Sequence, residues 1–255
     1  MIDRPVRVGI VGAGNVLPAY LQVIDKLVPR GLAAEGPICA RETERWPELL
    51  HRRPGATLVA EAADVIASDV DVVVVITPPA THGELVRASL EAGKHVLVEK
   101  PFATSRHEGE ALAALAREQG LHILAAPFVH LSPTFRTLWT MIDDDAIGRV
   151  HSARGLYGNT GVDWAAWYHT SGSGPLPELG IYNLKSLTAL LGPVVEVMAA
   201  EARAVSQREI GGVAVEDPDS DVVQVILRHR GGALSVVTAS QAVQSYRRTA
   251  LELYG

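Results

Sequence analysis

Residues 72–101 open with Val72-Val73-Val74-Val75-Ile76, turn at Thr77-Pro78-Pro79-Ala80-Thr81-His82, and close with Glu91-Ala92-Gly93-Lys94-His95-Val96-Leu97-Val98-Glu99-Lys100-Pro101. Five β-branched residues in a row, with no polar alternation, read as a strand buried on both faces. The paired prolines fix φ at the start of a helix over 80–92, with the Thr77 hydroxyl in front of them. A second apolar strand over 96–98 then ends in Glu-Lys-Pro. Strand, helix and strand in this order make a right-handed crossover, so Thr77 and Lys100 leave a parallel sheet from the same carboxyl edge. Pro101 is a candidate for a preceding cis peptide bond.

Working outward, residues 6–11 form another apolar run, which stops at Gly12-Ala13-Gly14 and is followed by a helical pattern over 18–28 in Leu21, Ile24, Leu27 and Val28. Strands are expected at 38–40, 58–59 and 121–125, with helices at 44–51 and 105–119 between them. This alternation predicts an α/β Rossmann domain, a doubly wound parallel sheet with helices on both faces, over residues 1–126. A helix over 133–142 and the acidic turn Asp143-Asp144-Asp145 follow. Residues 127–255 carry longer alternating segments at 150–157, 194–205, 222–228, 233–240 and 248–253, and one helix over 177–191 with Leu184, Leu187, Leu190 and Leu191 as its apolar stripe. An α+β domain with an open, mainly antiparallel sheet is the expectation there.

The bulk properties narrow the chemistry. With 255 residues, 47% of them hydrophobic, the chain can bury two modest cores. Its net charge of -6 comes without a cluster of Lys or Arg, so nothing draws it to nucleic acid or to anionic lipid. A sole cysteine, Cys39, rules out an internal disulfide and suits a cytoplasmic setting. No apolar run approaches the roughly 20 residues that span a bilayer. The nine histidines offer no metal-ligand spacing.

Gly12 and Gly14, between a strand and a helix, stand where a dinucleotide loop needs them: the first permits the tight turn, and the second lets a diphosphate approach the helix N-terminus beside Asn15 and Val16. Leu17 occupies the place of the usual third small residue. At the end of the second strand, where a carboxylate holds the ribose of NAD, the chain has Ala40 and Arg41. A guanidinium pairs with a ribose phosphate, so NADP(H) is favoured over NAD; a solvated Arg41 with Glu42 on the ribose is the other reading. Thr77, Pro78, His82, Glu99 and Lys100 complete the expected cofactor wall. Lys100 is read as a hydrogen-bond donor to a substrate oxygen, against a plain salt bridge at the loop mouth.

Gly12-Ala13-Gly14-Asn15, the segment from Thr77 to His82, the run from Glu91 to Pro101, and Gly172-Ser173-Gly174 with Glu178-Leu179-Gly180-Ile181-Tyr182 together resemble the Gfo/Idh/MocA family, oxidoreductases similar to glucose-fructose oxidoreductase and inositol dehydrogenase. The likeness runs from about residue 6 to the chain end. It implies an NAD(P)-dependent oxidation of a sugar or cyclitol hydroxyl, or reduction of the matching ketone. Lys100 would orient the reacting oxygen, and Tyr182 would take the place of the family's acid/base. Glu178 stands for an aspartate of that motif, and Lys185 replaces another aspartate one helical turn later. A phenol has an ordinary pKa of about 10, and nearby ammonium groups favour its ionised form. Tyr182 and Lys185 share a helix face, whereas the plainer reading has Lys185 in solvent and Tyr182 in the core. His130 and Trp167, the latter within the cluster of Trp164, Tyr168 and His169, are the remaining substrate candidates.

The sequence ends at Leu253-Tyr254-Gly255, inside what reads as a strand, where members of the family continue for several elements. An incomplete second domain with an unpaired edge is therefore expected, and with it a homo-oligomer, dimer or tetramer, formed through the C-terminal sheet. The competing function is a non-catalytic dinucleotide-binding protein, a redox sensor or scaffold subunit.

Overall fold

The structure, a computed structural model, describes residues 4–163, 166–169, 174–215, 218–245, 247 and 249–255. The chain divides into two compact units, Met1–Ala126 and Pro127–Gly255.

The first unit is built on six parallel strands: β1 (Val6–Val11), β2 (Ala33–Cys39), β3 (Leu58–Val59), β4 (Val72–Val75), β5 (His95–Val98) and β6 (Ile123–Ala125), in the order β3-β2-β1-β4-β5-β6. Helices α1 (Leu17–Leu27), α2 (Trp46–Arg52), α3 (Ala62–Ala67), α4 (His82–Glu91) and α5 (Arg106–Glu118) connect them. Because side chains alternate along a strand, β4 feeds both faces of the sheet. Val73 and Val75 join Val65, Val86, Leu90 and Leu112 in one core, while Val74 and Ile76 join Ile10, Leu17, Ile24 and Ile38 in the other. Each fully buried aliphatic side chain contributes about 1.5–3 kcal/mol, and the two cores explain why the Val72–Val75 run carries no polar residue.

Two departures from the expected elements have local causes. β2 begins at Ala33, five residues before the expected 38, because Ala33, Ala34 and Glu35 pair with Val6, Arg7 and Val8 of β1. Ala, Gly and Pro are poor strand formers, and the neighbouring strand overrides them. Helix α3 was absent from the sequence reading. Its six residues show too little helical period to stand out, yet Val65 and Ile66 are buried in the core.

The second unit contains α6 (Pro133–Asp143), β7 (Ser152–Gly158), α7 (Ile181–Leu191), β8 (Val194–Ala202), β9 (Glu209–Ile210), β10 (Val213–Ala214), β11 (Val222–His229), β12 (Leu234–Ser240) and β13 (Leu251–Tyr254). Five strands form a sheet in the order β13-β7-β12-β11-β8. All its pairings are antiparallel except β7 with β12, which is parallel. The helical link from β7 to β8 is responsible, since it returns the chain in its original direction, as a crossover does. One face is packed: Val223, Val225 and Leu227 of β11 meet Ala153, Val237 and Leu187 of α7. The opposite face is open, with Met198 and Ile226 exposed. The β9–β10 hairpin turns at Gly211-Gly212, both at positive φ, as a two-residue hairpin loop requires. Among the described residues no helix is long and apolar enough to cross a membrane.

Candidate active site

Four strands of the first unit end level with one another. Val11 pairs with Cys39 on one side and Val75 on the other, and Val75 pairs with Val98. The ladder extends one residue further, with Gly12 N–H on Cys39 O at 3.1 Å, Ile76 N–H on Val11 O at 2.9 Å and Glu99 N–H on Val75 O at 2.9 Å. The chain segments that follow, Gly12-Ala13-Gly14, Ala40-Arg41, Thr77-Pro78 and Lys100-Pro101, therefore leave from a single edge. The strand order reverses between β1 and β4, which is where open α/β sheets bind ligands.

A cleft of about 370 Å³ opens at that edge, lined among others by Gly12, Gly14, Arg41, Thr77 and Pro78. Gly12 has φ +119°, and a β-carbon there would come within 2.9 Å of the Ile76 backbone. At Gly14 a β-carbon would meet nothing within 4 Å. The first glycine is thus required by the fold, whereas the second leaves open space in front of α1. That helix has no acidic residue in its first turn and a proline at its start, so its N-terminus suits an anion. The residues present fit a dinucleotide.

Arg41 lines the cleft with Glu42 and Arg45. Arg45 was not singled out from the sequence; it ends the short helical turn Thr43–Arg45 that follows Arg41. It pairs with Glu42 at 3.2 Å, which leaves that carboxylate partly neutralised beside the guanidinium of Arg41. Cys39, also on the wall, donates to Ala60 O at 3.4 Å. Burial pushes its thiol pKa up, and Glu61 pushes it in the same direction, the opposite of a reactive thiol.

The turns after β4 and β5 are tied together. His82 is fully buried, with Nδ1 2.8 Å from the Pro101 carbonyl oxygen and Nε2 2.8 Å from that of Thr77. The ring faces carbonyl oxygens of both turns and is not part of the cleft's lining, which is not where a cofactor ligand is expected. The Thr77 hydroxyl accepts from that of Thr81 at 2.7 Å. Glu99 is likewise engaged with protein: Tyr20 donates to its Oε1 at 2.8 Å, and Lys100 N–H to its Oε2 at 3.1 Å. Through Tyr20 its carboxylate is joined to α1. The Lys100-Pro101 bond is cis. Asn15, Val16 and Lys100 belong to the same edge, outside the lining of the cleft.

In the second unit, a π-helical turn at Leu176–Gly180 leads directly into α7. Such turns re-aim the side chains that follow them. Glu178 is buried on this turn. Tyr182, half-buried, meets Tyr157 edge to face, with ring centroids 5.4 Å apart at 71°. Tyr157 escaped the sequence reading, because a tyrosine in an alternating strand carries no signal of its own. The Tyr168 phenol is pushed far above its ordinary value by burial, with the Glu178 carboxylate adding to the effect. Lys185 is half-buried, and desolvation lowers its pKa. His130 lies on the turn Val129–Leu131 that packs against α7; burial depresses its pKa, and the Lys185 ammonium depresses it further. The plainer expectation for the pair on α7, Lys185 in solvent with Tyr182 in the core, does not describe them, since both are half-buried. Trp164, Gly172, Ser173 and the side chain of Trp167 lie outside the described residues.

Comparison with known proteins agrees with this geometry. Residues 6–126 match the oxidoreductase family with an NAD-binding Rossmann fold, and residues 135–255 match the GFO/IDH/MocA C-terminal domain. The chain is 31% identical over 217 residues, 83% of its length, to dTDP-3,4-didehydro-2,6-dideoxy-alpha-D-glucose 3-reductase of Actinomadura kijaniata, and it spans 64% of that protein's length. It is 26% identical over 235 residues to myo-inositol dehydrogenase Hyg17 of Streptomyces leeuwenhoekii, covering 92% of this chain and 69% of the relative. The crystal structure of GenD2 from gentamicin A biosynthesis, in complex with NAD, superposes with a TM-score of 0.86 at 26% identity, covering 100% of this chain and 71% of that one. Level strand ends, a glycine loop open to a diphosphate and matches over both halves lead to one conclusion: the chain belongs to the Gfo/Idh/MocA family of oxidoreductases with an NAD-binding Rossmann fold.

Proposed function

We propose that this chain binds NADP(H) and transfers hydride between the nicotinamide and a secondary hydroxyl or ketone of a sugar, cyclitol or related polyol. The observation that carries the reading is the common sheet edge, where Gly12, Arg41, Thr77 and Lys100 each follow a strand ending at the same level. Gly12, Gly14, Asn15 and Val16 would hold the diphosphate, Arg41 and Arg45 the ribose phosphate, and Thr77 with Pro78 the wall beside them. When bound, the nicotinamide supplies or accepts the hydride.

The remaining work falls to side chains of the protein. Lys100, an ammonium at the mouth of β5, would orient and polarise the reacting oxygen, stabilising charge as it develops there. Tyr182 would carry the proton between that oxygen and solvent. Glu178, His130, Lys185 and Trp167 are the substrate-side candidates. The half-buried Lys185 beside His130 favours a substrate with hydrogen-bond acceptors at that end. Dissociation constants for NADP and NAD, followed by nicotinamide absorbance over a panel of sugars, cyclitols and keto-sugars, test the proposal. Tighter NAD than NADP binding rejects the cofactor assignment; cofactor binding without turnover across the panel rejects the catalytic one.

The open face of the second sheet favours a second copy of the chain as its partner. Met198 is 70% exposed and Ile226 42% exposed, and the two are paired across β8 and β11; beside them Glu196 and Arg228 form an ion pair. A face with apolar residues and both signs of charge can match itself about a two-fold axis. Light scattering after size exclusion should give a dimer or tetramer, and Ile226→Lys should shift it toward monomer.

A further inference from the structure

We infer that Tyr20 is a positioning residue for Lys100, acting through the carboxylate of Glu99. The inference rests on the reading of Lys100 given above. Tyr20 lies on α1, the helix that begins at the glycine loop, and its ring packs against the core beneath that side of the sheet. Its hydroxyl reaches across to β5 and donates to Glu99 Oε1 at 2.8 Å, while Glu99 Oε2 accepts the backbone N–H of Lys100 at 3.1 Å. One carboxylate therefore spends one oxygen on each neighbour. A glutamate is among the side chains that lose most rotamer freedom when fixed, about 1.5–2 kcal/mol. A tyrosine ring turns on only two torsions and is already packed, so its hydroxyl is a stiff anchor for a flexible acceptor.

The other side of the lysine is anchored as well. The ring of His82 lies between the carbonyl oxygens of Pro101 and Thr77, 2.8 Å from each, and a neutral imidazole donates to one of them. Glu99, before Lys100, is thus tied to α1, and Pro101, after it, faces the first residue of α4. The hydrogen bond from its backbone N–H to Glu99 restrains the direction in which the lysine side chain leaves the chain. Such restriction matters, because a misplacement of about 1 Å at a reacting centre can lower a rate about 10²-fold. Tyr20 and Glu99 are not among the residues lining the dinucleotide cleft. Removing the hydroxyl should therefore leave cofactor binding intact while loosening the lysine.

Tyr20→Phe in the full chain tests this. Amide hydrogen exchange at Lys100 should accelerate about 3- to 10-fold, as expected for one lost hydrogen bond. With NADP+ and myo-inositol or D-glucose as probes, kcat should fall about 10-fold while the Kd for NADP+ stays within about twofold. If the tyrosine reaches Lys100 through that side chain, Glu99→Gln combined with Tyr20→Phe should exchange no faster at Lys100 than Glu99→Gln alone. Unchanged exchange at Lys100 in Tyr20→Phe, or additive losses in the double variant, overturns the inference. Lys100→Met addresses the underlying reading separately: full turnover in that variant removes Lys100 from the chemistry, and the role of Tyr20 with it.

Discussion

Gly12 sits so close to Ile76 that a β-carbon on the glycine would come within 2.9 Å of the isoleucine's carbonyl carbon and oxygen. The contact exists because β1 and β4 are neighbours in register, Val11 level with Val75. A backbone at φ +119° adds a second penalty for any side chain.

Gly12→Ala and Gly14→Ala should accordingly fail in different ways. The first carries strain of about 1–3 kcal/mol, from the positive φ and the Ile76 contact, and should lower stability measured by denaturant unfolding. The second meets nothing within 4 Å, so it should fold with unchanged stability. If a diphosphate approaches the loop there, the added methyl group should weaken NADP+ binding by about 10-fold or more, a loss of about 1.4 kcal/mol. Titration calorimetry on both variants separates the two effects, and normal affinity in Gly14→Ala would argue that the ligand lies elsewhere.

Charge at the end of β2 should decide the choice of cofactor. Arg41 and Arg45 face the cleft together, and Arg45 is paired with Glu42 at 3.2 Å. If Arg41 holds a ribose phosphate, Arg41→Ala removes a charge-assisted hydrogen bond worth about 1.5–3 kcal/mol. The Kd for NADP+ should rise about 10- to 100-fold while that for NAD+ stays nearly constant. Arg45→Ala should lose the same selectivity, because it removes a second cation from the cleft and frees Glu42 to repel the phosphate. Equal losses for both cofactors in Arg41→Ala would refute a phosphate contact.

Much of this site is legible in the sequence because it is built from backbone constraints. Gly12, the prolines after Thr77 and the apolar run of β4 each permit few conformations, so their order along the chain fixes the sheet edge. Side-chain pairings are less visible. Nothing local distinguishes Tyr20 from any other helical tyrosine, yet it reaches Glu99 across 79 positions of sequence. His82 looks like a ligand-facing histidine until its two carbonyl partners are seen. The parallel pairing of β7 with β12 is hidden for the same reason, since alternation marks a strand but not the direction of its neighbour.

The two tyrosines in edge-to-face contact should respond differently to substitution. Tyr182→Phe keeps the ring and its contact with Tyr157, and turnover should fall about 10²- to 10⁴-fold if the phenol carries the proton. Tyr157→Leu removes the aromatic partner and should cost about 0.5–1.5 kcal/mol beyond the area lost, with a smaller kinetic effect. Unfolding curves and steady-state rates on the two variants check both halves of this prediction. A Tyr182→Phe enzyme with the parent's kcat would remove the phenol from the mechanism.

Acid should attack the second unit through Asp221. Its carboxylate is buried, with the side chain 2% exposed, and is paired with Arg208 at 2.9 Å. The N–H groups of Ala204 and Val205 reach it at 2.7 and 2.9 Å. Burial alone would raise its pKa, but the two backbone N–H groups and the guanidinium outweigh that effect and hold it below the ordinary 3.8. A carboxyl depressed in the folded state stabilises the protein at pH above its unfolded pKa, and that contribution disappears as pH falls through the folded value. Asp221→Asn leaves Arg208 charged and enclosed, also bound to the Gln241 carbonyl at 2.7 Å. Near neutral pH the variant should lose about 3–5 kcal/mol. The gap between parent and variant should narrow below about pH 4, because only the parent still has this group to protonate. Denaturant unfolding at neutral and acid pH measures the difference, and an equal gap at both would mean that the charge of Asp221 contributes nothing to the fold.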